Sequence, residues 1–389
     1  MATIESLVEL NTLNDCAMGS TKQSRWKETT QRYIANMLIN NVELRSELLE
    51  DRYIVKPTID FTINERGHVR KIEAPVVRDR VVHKSLCKHV LIPRIRRLLV
   101  YDNCASIKDR GTSFARKRFE IMIRRHIRNN GTEGYILLID IKKYFESIDH
   151  SVLKELLKPH IEEEDEKVKQ LIHYVIDTSS HTGKGLNLGS EAPQILAVFY
   201  LSPVDNYIKI LRGVRLFVRY MDDIAIIAKT KEELISILDG IKEQLSLLRL
   251  EVNPKKTHII KLTHGFTFLQ IKYGILPSGK ILKRPTHKKI VRERRRLKAF
   301  KRMYDLGKMT EVDAWNCYQS WRGSVAKDHN ACYQTLCSMD ALYNRLFPVH
   351  EEVRKIGRKE LADKIMSDAS TSDLYLGLNQ LSASPHYHD

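Results

Sequence analysis

Cysteine is scarce in this sequence, and its spacing predicts neither a disulfide framework nor a zinc site. Six cysteines occur among 389 residues, and no two of them are separated by two residues, as many zinc ligands are. A chain of this length does not need disulfide bonds to hold its core together. We therefore expect reduced, mostly buried thiols, histidines in ordinary core and surface positions, and no structural metal.

Long apolar runs are also missing. No segment is apolar enough to span a bilayer, and the first nine residues lack the basic and then apolar order of a secretory signal. We expect no membrane partner and a cytoplasmic location.

Acidic residues are too few to balance the basic ones. The chain has 65 Lys and Arg against 48 Asp and Glu, a net charge of +17, so its natural partner is a polyanion. A hydrophobic content of 42% allows a large core, and the length suggests two or three domains.

The first third of the chain alternates between helical and extended patterns. Basic and apolar residues are mixed at helical spacing in some segments, whereas Pro and Gly interrupt short apolar pieces in another. The predicted elements are amphipathic helices within residues 21–50, strands and loops at 53–82, a helix from 82 to beyond 97, and a basic helix at 113–128.

Three short apolar segments in the middle of the chain predict a sheet. Residues 135–139 read as a buried strand that ends at Asp140, while residues 214–220 and 224–228 form a tight hairpin around Asp222 and Asp223. A single helix is expected at about 193–210, and Thr230 precedes an amphipathic helix. This order predicts a split βαβ sheet with helices on one face and the other face free.

The three aspartates are candidates for a shared metal site. Nucleotide transfer to a hydroxyl needs two cations a few ångströms apart, and carboxylates are the ligands that such cations prefer. Asp140 and the hairpin tip could meet at one sheet edge. The alternative is structural, with Asp222 and Asp223 forming a turn and Asp140 capping a helix. The apolar flanks favour a compensating charge.

Two motifs resemble conserved motifs of the reverse transcriptase family. The tetrapeptide Tyr-Met-Asp-Asp at residues 220–223 resembles the centre of the reverse transcriptase palm, and the segment 140–148 resembles the first catalytic motif of bacterial members. The resemblance, which covers about residues 50–275, implies that Asp140, Asp222 and Asp223, with Ile141, hold two Mg²⁺ ions that Mn²⁺ can replace. It also implies that Phe145 excludes a ribose 2′-hydroxyl; core packing of this aromatic residue is the alternative.

The resemblance further implies an α+β right-hand polymerase with a split βαβ antiparallel sheet in its palm. The expected parts are an N-terminal helical extension at 1–50, fingers at 51–134, a palm at 135–275 that includes part of the fingers at 151–185, a basic helical thumb at 276–348 and a C-terminal tail at 349–389.

Further binding residues follow from the same resemblance. The glycine loop at 185–194 lies against the incoming nucleotide, although Pro193 stands where many members have Ser. Lys256, with Lys255 as a second candidate, protonates the leaving pyrophosphate. Gln270 replaces the usual Gly of the primer-grip turn. The expected nucleotide-binding residues are Arg70, Lys71, Arg78, Arg80, Phe145, Gly189 and Gln194, with Arg78 favoured over Arg80 as the triphosphate ligand.

A dense basic cluster marks the predicted thumb. Residues 283–302 contain eleven Lys or Arg and the single acid Glu293, too few acids for a simple solvated helix face. Trp315, Tyr318, Trp321 and Tyr333 could stack on bases, but core packing is favoured. The residues expected to contact nucleic acid are Lys288, Lys289, Arg292, Arg295, Arg296, Lys298 and Arg302.

The expected function is RNA-directed DNA synthesis by a compact bacterial-type enzyme. Its expected partners are an RNA template, dNTPs and the cDNA product, with an accessory protein or a second copy as a further option. By analogy with retrons and phage-defence systems, the template is a dedicated noncoding RNA and the role antiviral defence. The alternatives are a mutagenic enzyme of a diversity-generating retroelement, an RNA-synthesising relative, and a nucleic-acid-binding subunit that no longer polymerises.

Overall fold

The structure is a computed structural model that describes residues 2–65, 68–180, 182–187 and 189–348. The predicted tail at 349–389 lies outside the described residues. The chain divides into two compact units, residues 1–264 and residues 265–389, and each is described by itself. None of the helices in the described part is both long and apolar enough to cross a bilayer.

The N-terminal segment is helical and shares the core of the first unit. Leu13 and Ala17 are fully buried and belong to the same hydrophobic cluster as Val81 and Leu86. Thr3 caps the first helix with a reciprocal capping box. The helices of this segment are α1 (Ile4–Leu7), α2 (Leu10–Thr21), α3 (Glu28–Ala35) and α4 (Met37–Leu49).

A long β-hairpin follows, and after it comes a helical segment that contains a π-helical turn. The hairpin pairs Ile59 with Ala74 and Glu65 with His68. The predicted helix from residue 82 to beyond 97 is instead interrupted by a π-helical turn at Cys87–Leu91. Pro93 explains the interruption, since it has no N–H to continue the regular ladder. These elements are β1 (Ile59–Glu65), β2 (His68–Ala74), α5 (Val77–Leu86) and α6 (Ile92–Ile95).

A four-stranded antiparallel sheet forms the centre of the first unit, in the order β4-β5-β3-β6. Ile139 at the end of one central strand pairs with Ile224 near the start of the other. The strands are β3 (Tyr135–Ile139), β4 (Phe217–Tyr220), β5 (Asp223–Ala228) and β6 (His258–Lys261).

Both faces of this sheet are covered, which corrects the expectation of a free face. Successive residues 224–228 are all buried, although neighbours in a strand point to opposite faces. One face packs on α13 (Lys231–Leu247), which Thr230 caps by accepting a hydrogen bond from the amide of Glu233. The basic helix α7 (Thr112–Asn130) also packs on β4 and β5, and its residues Phe119 and Ile123 are fully buried.

Five further helices in the described residues share the hydrophobic core of the central sheet. The single helix predicted at about 193–210 is broken after Tyr200, because Pro203 cannot donate the hydrogen bond that a continuous helix requires. A second π-helical turn at Tyr207–Leu211 follows. The helices are α8 (Tyr144–Ser147), α9 (His150–Ile161), α10 (Glu166–Asp177), α11 (Glu191–Tyr200) and α12 (Ser202–Asn206).

The second unit joins a three-stranded antiparallel sheet to three helices around an aromatic core. Tyr318 and Tyr343 stack at 4.9 Å between ring centroids, and Trp321 packs beside them, so core packing is confirmed for Tyr318 and Trp321. Tyr333 is exposed. The elements are β7 (Phe266–Phe268), β8 (Ile271–Ile275), β9 (Ile281–Pro285), α14 (His287–Asp305), α15 (Glu311–Asp328) and α16 (Tyr333–Leu346).

The cysteines behave as expected from their spacing. All six thiols are free; Cys16, Cys87, Cys104 and Cys332 are buried, and Cys337 is exposed.

Candidate active site

Two strand ends bring the three aspartates to one edge of the central sheet. Asp140 follows the last residue of β3, and Asp223 is the first residue of β5. The Ile139–Ile224 pair is the last of the ladder, so Asp140 stands at the next position opposite Asp223. Residues facing each other across antiparallel strands have Cα atoms roughly 5 Å apart. The backbone therefore places these acids side by side.

The hairpin that carries the other two acids is closed by two residues. Tyr220 pairs with Asp223, which leaves Met221 and Asp222 as the turn. Met221 has a φ of 54°, a left-handed conformation that is rare for a residue with a side chain. The turn thus holds Asp222 beyond the strand ends, at the same edge as Asp140.

The carboxylate of Asp140 is held by a loop that follows α13. Lys256 Nζ lies 3.0 Å from Asp140 Oδ1, and Asn253 Nδ2 donates to Asp140 Oδ2 at 2.9 Å. The amide of Asn253 also donates to the carbonyl of Asp140 at 2.7 Å. Lys256 was predicted from the family motif, whereas Asn253 was missed; its signal was its place three residues before that lysine.

A cavity of about 810 Å³ opens beside these residues. Asp140, Asp222 and Lys256 line it, together with Phe145 and residues of β2. Phe145 is half-buried and meets the ring of Tyr144 edge to face, with 5.5 Å between centroids. The cavity is large enough for a nucleotide-sized ligand and is bounded by acidic, basic and aromatic residues.

The donor chemistry of this edge fits divalent cations. Asp140, Asp222 and Asp223 supply carboxylate oxygens at adjacent backbone positions, which hard cations prefer. Their side chains are not gathered into a ready group: within the described residues, no three His, Cys, Asp or Glu side chains form a metal cluster. The ammonium of Lys256 provides positive charge next to Asp140 instead.

The sequence that forms this site matches a known protein family. A sequence model of the family "Reverse transcriptase (RNA-dependent DNA polymerase)" matches residues 54–273, more than half of the chain. The chain belongs to the reverse transcriptase family. This membership and the mixed helix and strand structure with antiparallel sheets confirm the expected α+β polymerase fold.

Several solved structures show distant likeness to this reverse transcriptase. A telomerase from Candida tropicalis, truncated from its C-terminal domain, is 16% identical with a TM-score of 0.44, covering 62% of this chain and 59% of that one. A telomerase from Candida albicans, bound to a TWJ fragment of telomeric RNA, is 13% identical with a TM-score of 0.47, covering 75% and 59%. The chain thus spans less than two thirds of those telomerase chains. No curated protein matches the sequence.

The two ends of the glycine loop border different cavities: Gly185 and Asn187 line the cavity that contains Asp140, whereas Gly189 lines a second one. A Cβ added to Gly189 would lie 2.6 Å from Pro75 Cδ and 2.8 Å from Ala74 Cα, so only glycine fits against this backbone. Gly189 and Gln194 line a basic cavity of about 870 Å³ with Arg80. The other basic residues that line it are Lys22, Lys84, Lys88, Arg96 and Lys108.

Arg78, the favoured triphosphate ligand, points elsewhere. Its guanidinium forms an ion pair with Glu47 of α4, donates to the carbonyl of Ile54 at 3.0 Å and lies over the ring of Tyr53. The side chain is mostly buried and does not line either cavity.

Two other predicted nucleotide ligands lie on strand β2. Arg70 and Lys71 stand opposite Ile63 and Thr62 in the hairpin register. Their side chains lie outside the described part of the structure. Val69, Ile72 and Glu73 of the same strand line the cavity that contains Asp140, which places the strand itself at the site.

Some basic side chains of helix α14 in the second unit pack inward, whereas others are exposed to solvent. Arg296 turns inward, since it donates to the carbonyl of Cys317 at 3.0 Å and lies over the ring of Phe300. Lys289 is half-buried. The exposed predicted residues are Lys288, Arg292, Arg295, Lys298 and Arg302, spaced by three or four positions and so on one helix face.

Proposed function

We propose that this chain is an RNA-directed DNA polymerase that copies an RNA template into cDNA from dNTPs. The observation that supports this most directly is the sheet edge at which Asp140 stands opposite Asp223, beside Asp222 and a nucleotide-sized cavity. The same edge carries Lys256, a proton donor next to the acids.

Asp140, Asp222 and Asp223, with Ile141, are the proposed holders of two Mg²⁺ ions, which Mn²⁺ can replace. Bound cations supply Lewis acidity for the attacking hydroxyl and for the leaving pyrophosphate. The protein's own contribution is positional. The side chain of Asn253 donates to the carboxylate of Asp140 and its amide donates to the main-chain carbonyl of Asp140, so Asn253 holds both parts of this residue.

Lys256 is the proposed proton donor to the pyrophosphate. Its side chain is 66% exposed, so its ammonium can move within the cavity while the backbone stays fixed. The amide of Lys256 donates to the carbonyl of Asn253 at 3.1 Å, which ties the lysine to the residue that orients Asp140. General acid catalysis of this kind contributes about 10²- to 10⁴-fold.

Phe145 is the proposed barrier against ribonucleotides. Its ring lines the cavity, and its contact with Tyr144 limits its motion, since Tyr144 is itself buried and donates its hydroxyl proton to the carbonyl of Ala197. A fixed ring beside the sugar would exclude a 2′-hydroxyl. This feature favours DNA synthesis over RNA synthesis.

The second cavity is the proposed path of the RNA template. Its six basic residues face a single acid, Glu191, which Lys84 already pairs at 2.9 Å. Single-stranded nucleic acid binds in such positively charged grooves. Gly189 and Gln194 border this cavity and would contact the template base and the incoming nucleotide. Arg70, Lys71 and Arg80 of the fingers are the proposed ligands of the nucleotide's phosphates.

The exposed face of α14 is the proposed contact with the template and product duplex. Five predicted cations lie on it, and phosphate contacts of this type are insensitive to sequence. Replacing Lys288, Arg292 and Arg295 by Gln should reduce the slope of log binding constant against log salt by roughly 0.9 per lost contact. An unchanged slope would place the duplex elsewhere.

We further propose the predicted division into fingers, palm and thumb, and a bacterial-type enzyme with a dedicated noncoding RNA as template and a role in antiviral defence. This step rests on analogy with compact family members. A mutagenic diversity-generating enzyme is the alternative. Sequencing the nucleic acid that copurifies with the protein from its host would decide: one defined RNA with its cDNA supports the proposal, and variable cDNA supports the alternative.

The activity itself can be tested with a primed RNA template. Wild-type protein should extend a DNA primer with dNTPs in Mg²⁺, and chelation should stop it. Asp140→Asn should abolish extension, whereas Asp239→Asn, which changes an exposed acid paired with Lys242 on α13, should retain it. Extension with ribonucleotides alone would support an RNA-synthesising enzyme, and binding without extension a non-polymerising relative.

A further inference from the structure

One arginine is completely buried directly beneath the hairpin tip. Arg219 lies on β4, three positions before Asp222, and no part of its side chain is exposed. Burying a guanidinium is costly unless it is paired and fully hydrogen-bonded. The hydrogen-bond partners of Arg219 therefore indicate the role of this residue.

The guanidinium joins three separate segments of the chain. It forms a bidentate ion pair with Asp205 of α12, with Nε–Oδ1 at 2.7 Å and Nη2–Oδ2 at 2.6 Å. Nη2 also donates to the carbonyl of Val198 in α11 at 2.9 Å. Nη1 donates to the carbonyl of Met221 at 2.9 Å. Only the last of these bonds reaches the hairpin turn.

That bond acts on the peptide that leads into Asp222. Met221 holds a left-handed φ of 54°, a conformation that is unfavourable for a residue with a side chain. Its carbonyl belongs to the Met221–Asp222 peptide unit, so a fixed donor under this oxygen fixes the plane of that peptide. The direction in which Asp222 leaves the turn follows from the plane.

The backbone of Arg219 is held as firmly as its side chain. Its amide donates to the carbonyl of Asp102 at 3.0 Å, and its carbonyl accepts from the amide of Cys104 at 2.9 Å. The ion pair alone does not explain the arrangement, because well-packed apolar residues often replace a buried pair without loss of stability. The additional hydrogen bond to the carbonyl of Met221 explains why an arginine is buried at this position.

We propose that Arg219 is a positioning residue for the catalytic aspartates: through its hydrogen bond to the carbonyl of Met221 it holds the strained turn so that Asp222 and Asp223 face Asp140. Its bond to Val198 ties the same turn to α11, the helix that carries Gln194. This inference rests on the proposed function, since it assigns a support to the proposed metal ligands.

The test separates the ion pair from the bond to the turn. The paired variant Arg219→Met with Asp205→Leu removes both charges together and leaves the Met221 carbonyl without this donor. Arg219→Lys keeps a cation opposite Asp205 but loses the planar fork that reaches two sites at once. A control pair, Arg94→Met with Glu164→Leu, removes an ion pair between α6 and the loop before α10.

Three readouts apply to each variant: the urea unfolding midpoint, Mn²⁺ affinity by electron paramagnetic resonance, and amide hydrogen exchange of peptides covering residues 219–223. The paired variant and Arg219→Lys should fold, lose about tenfold or more in Mn²⁺ affinity, as expected for a lost bond from a charged donor, and exchange faster at the turn. The control pair should match the wild type in Mn²⁺ affinity and exchange.

The outcomes distinguish this inference from the proposed function. Folded Arg219 variants with wild-type Mn²⁺ affinity and wild-type exchange at 219–223 would overturn the positioning role. If the paired variant does not fold, Arg219→Lys decides between the two outcomes by the same readouts. A wild-type protein that binds no Mn²⁺ would refute the proposed function, and hydrogen exchange at the turn would still support or overturn the role of Arg219.

Discussion

Replacing Lys256 by methionine should strengthen metal binding but slow nucleotide incorporation. Both effects arise at the acidic edge, the sheet edge that carries Asp140, Asp222 and Asp223. Lys256 Nζ lies 3.0 Å from Asp140 Oδ1, the oxygen that Asn253 leaves open. A cation and the ammonium compete for this oxygen, so removing the ammonium should strengthen metal binding. Because the lysine is 66% exposed, the ion pair contributes only about 0–1 kcal/mol, which corresponds to at most about fivefold in affinity.

Nucleotide incorporation by the same variant should fall instead. The methionine side chain cannot donate a proton, and loss of a general acid lowers the rate by about 10²- to 10⁴-fold. The assays are Mn²⁺ titration followed by electron paramagnetic resonance, and single-nucleotide incorporation at saturating metal. Lys255→Met is the matched control, since Lys255 is the neighbouring lysine and its backbone amide, not its side chain, bonds to Asn253.

Weaker Mn²⁺ binding together with an unchanged incorporation rate would contradict both roles assigned to Lys256. It would mean that Lys256 supports the metal site rather than competing with it, and that it plays no part in proton transfer. A large rate loss in Lys255→Met with none in Lys256→Met would transfer the role to the neighbouring lysine.

Three further changes have defined outcomes. Phe145→Ala should admit ribonucleotides, measured as the ratio of kcat/KM for dNTP and NTP; an unchanged ratio would make Phe145 a packing residue. Gly240→Ala should destabilise the protein by about 1–3 kcal/mol in urea unfolding, because a Cβ there would lie 1.7 Å from the hydroxyl oxygen of Tyr207, and a stability gain would contradict that contact. Burial lowers the pKa of His83, which bonds to Ser190, from 6.5 to about 4, so the folded protein takes up a proton less readily than the unfolded chain. Its stabilising effect should be complete above pH 6.5 and fall towards pH 4 by at most about 1.4 kcal/mol per pH unit, and His83→Gln should remove this component of the pH dependence.

The elements nearest the site could be predicted from sequence alone. The strand ending at Asp140, the hairpin around Asp222 and the helix after Thr230 all carry their own local signals, namely apolar runs, an acidic turn and a cap. Local signals also located helix α7 to within a few residues. These patterns act over a few positions and need no knowledge of distant partners.

Features set by distant contacts could not be predicted in this way. Arg78 pairs with Glu47 because α4 and α5 pack together, a contact between segments about thirty positions apart. Similarly, Asn253 reaches Asp140 across more than a hundred positions. The second covered face of the sheet depends on where α7 packs, which its own amphipathic pattern does not specify.

Breaks within helices were missed for a related reason. Apolar periodicity continues through Pro93 and Pro203, so both segments were predicted as single helices. The proline backbone overrides that periodicity, and the chain adopts a π-helical turn in one case and a new short helix in the other.

Single-nucleotide incorporation on a primed RNA template, compared between wild-type protein and Asp222→Asn, tests the proposed metal site itself. The substitution keeps the size of the side chain and removes one negative charge from the proposed metal site. We expect Asp222→Asn to incorporate nucleotides about a thousandfold or more slowly than the wild type at any Mg²⁺ concentration, although it unfolds at the same urea concentration. Incorporation by Asp222→Asn at the wild-type rate would contradict the claim that this acidic edge is where the enzyme makes DNA.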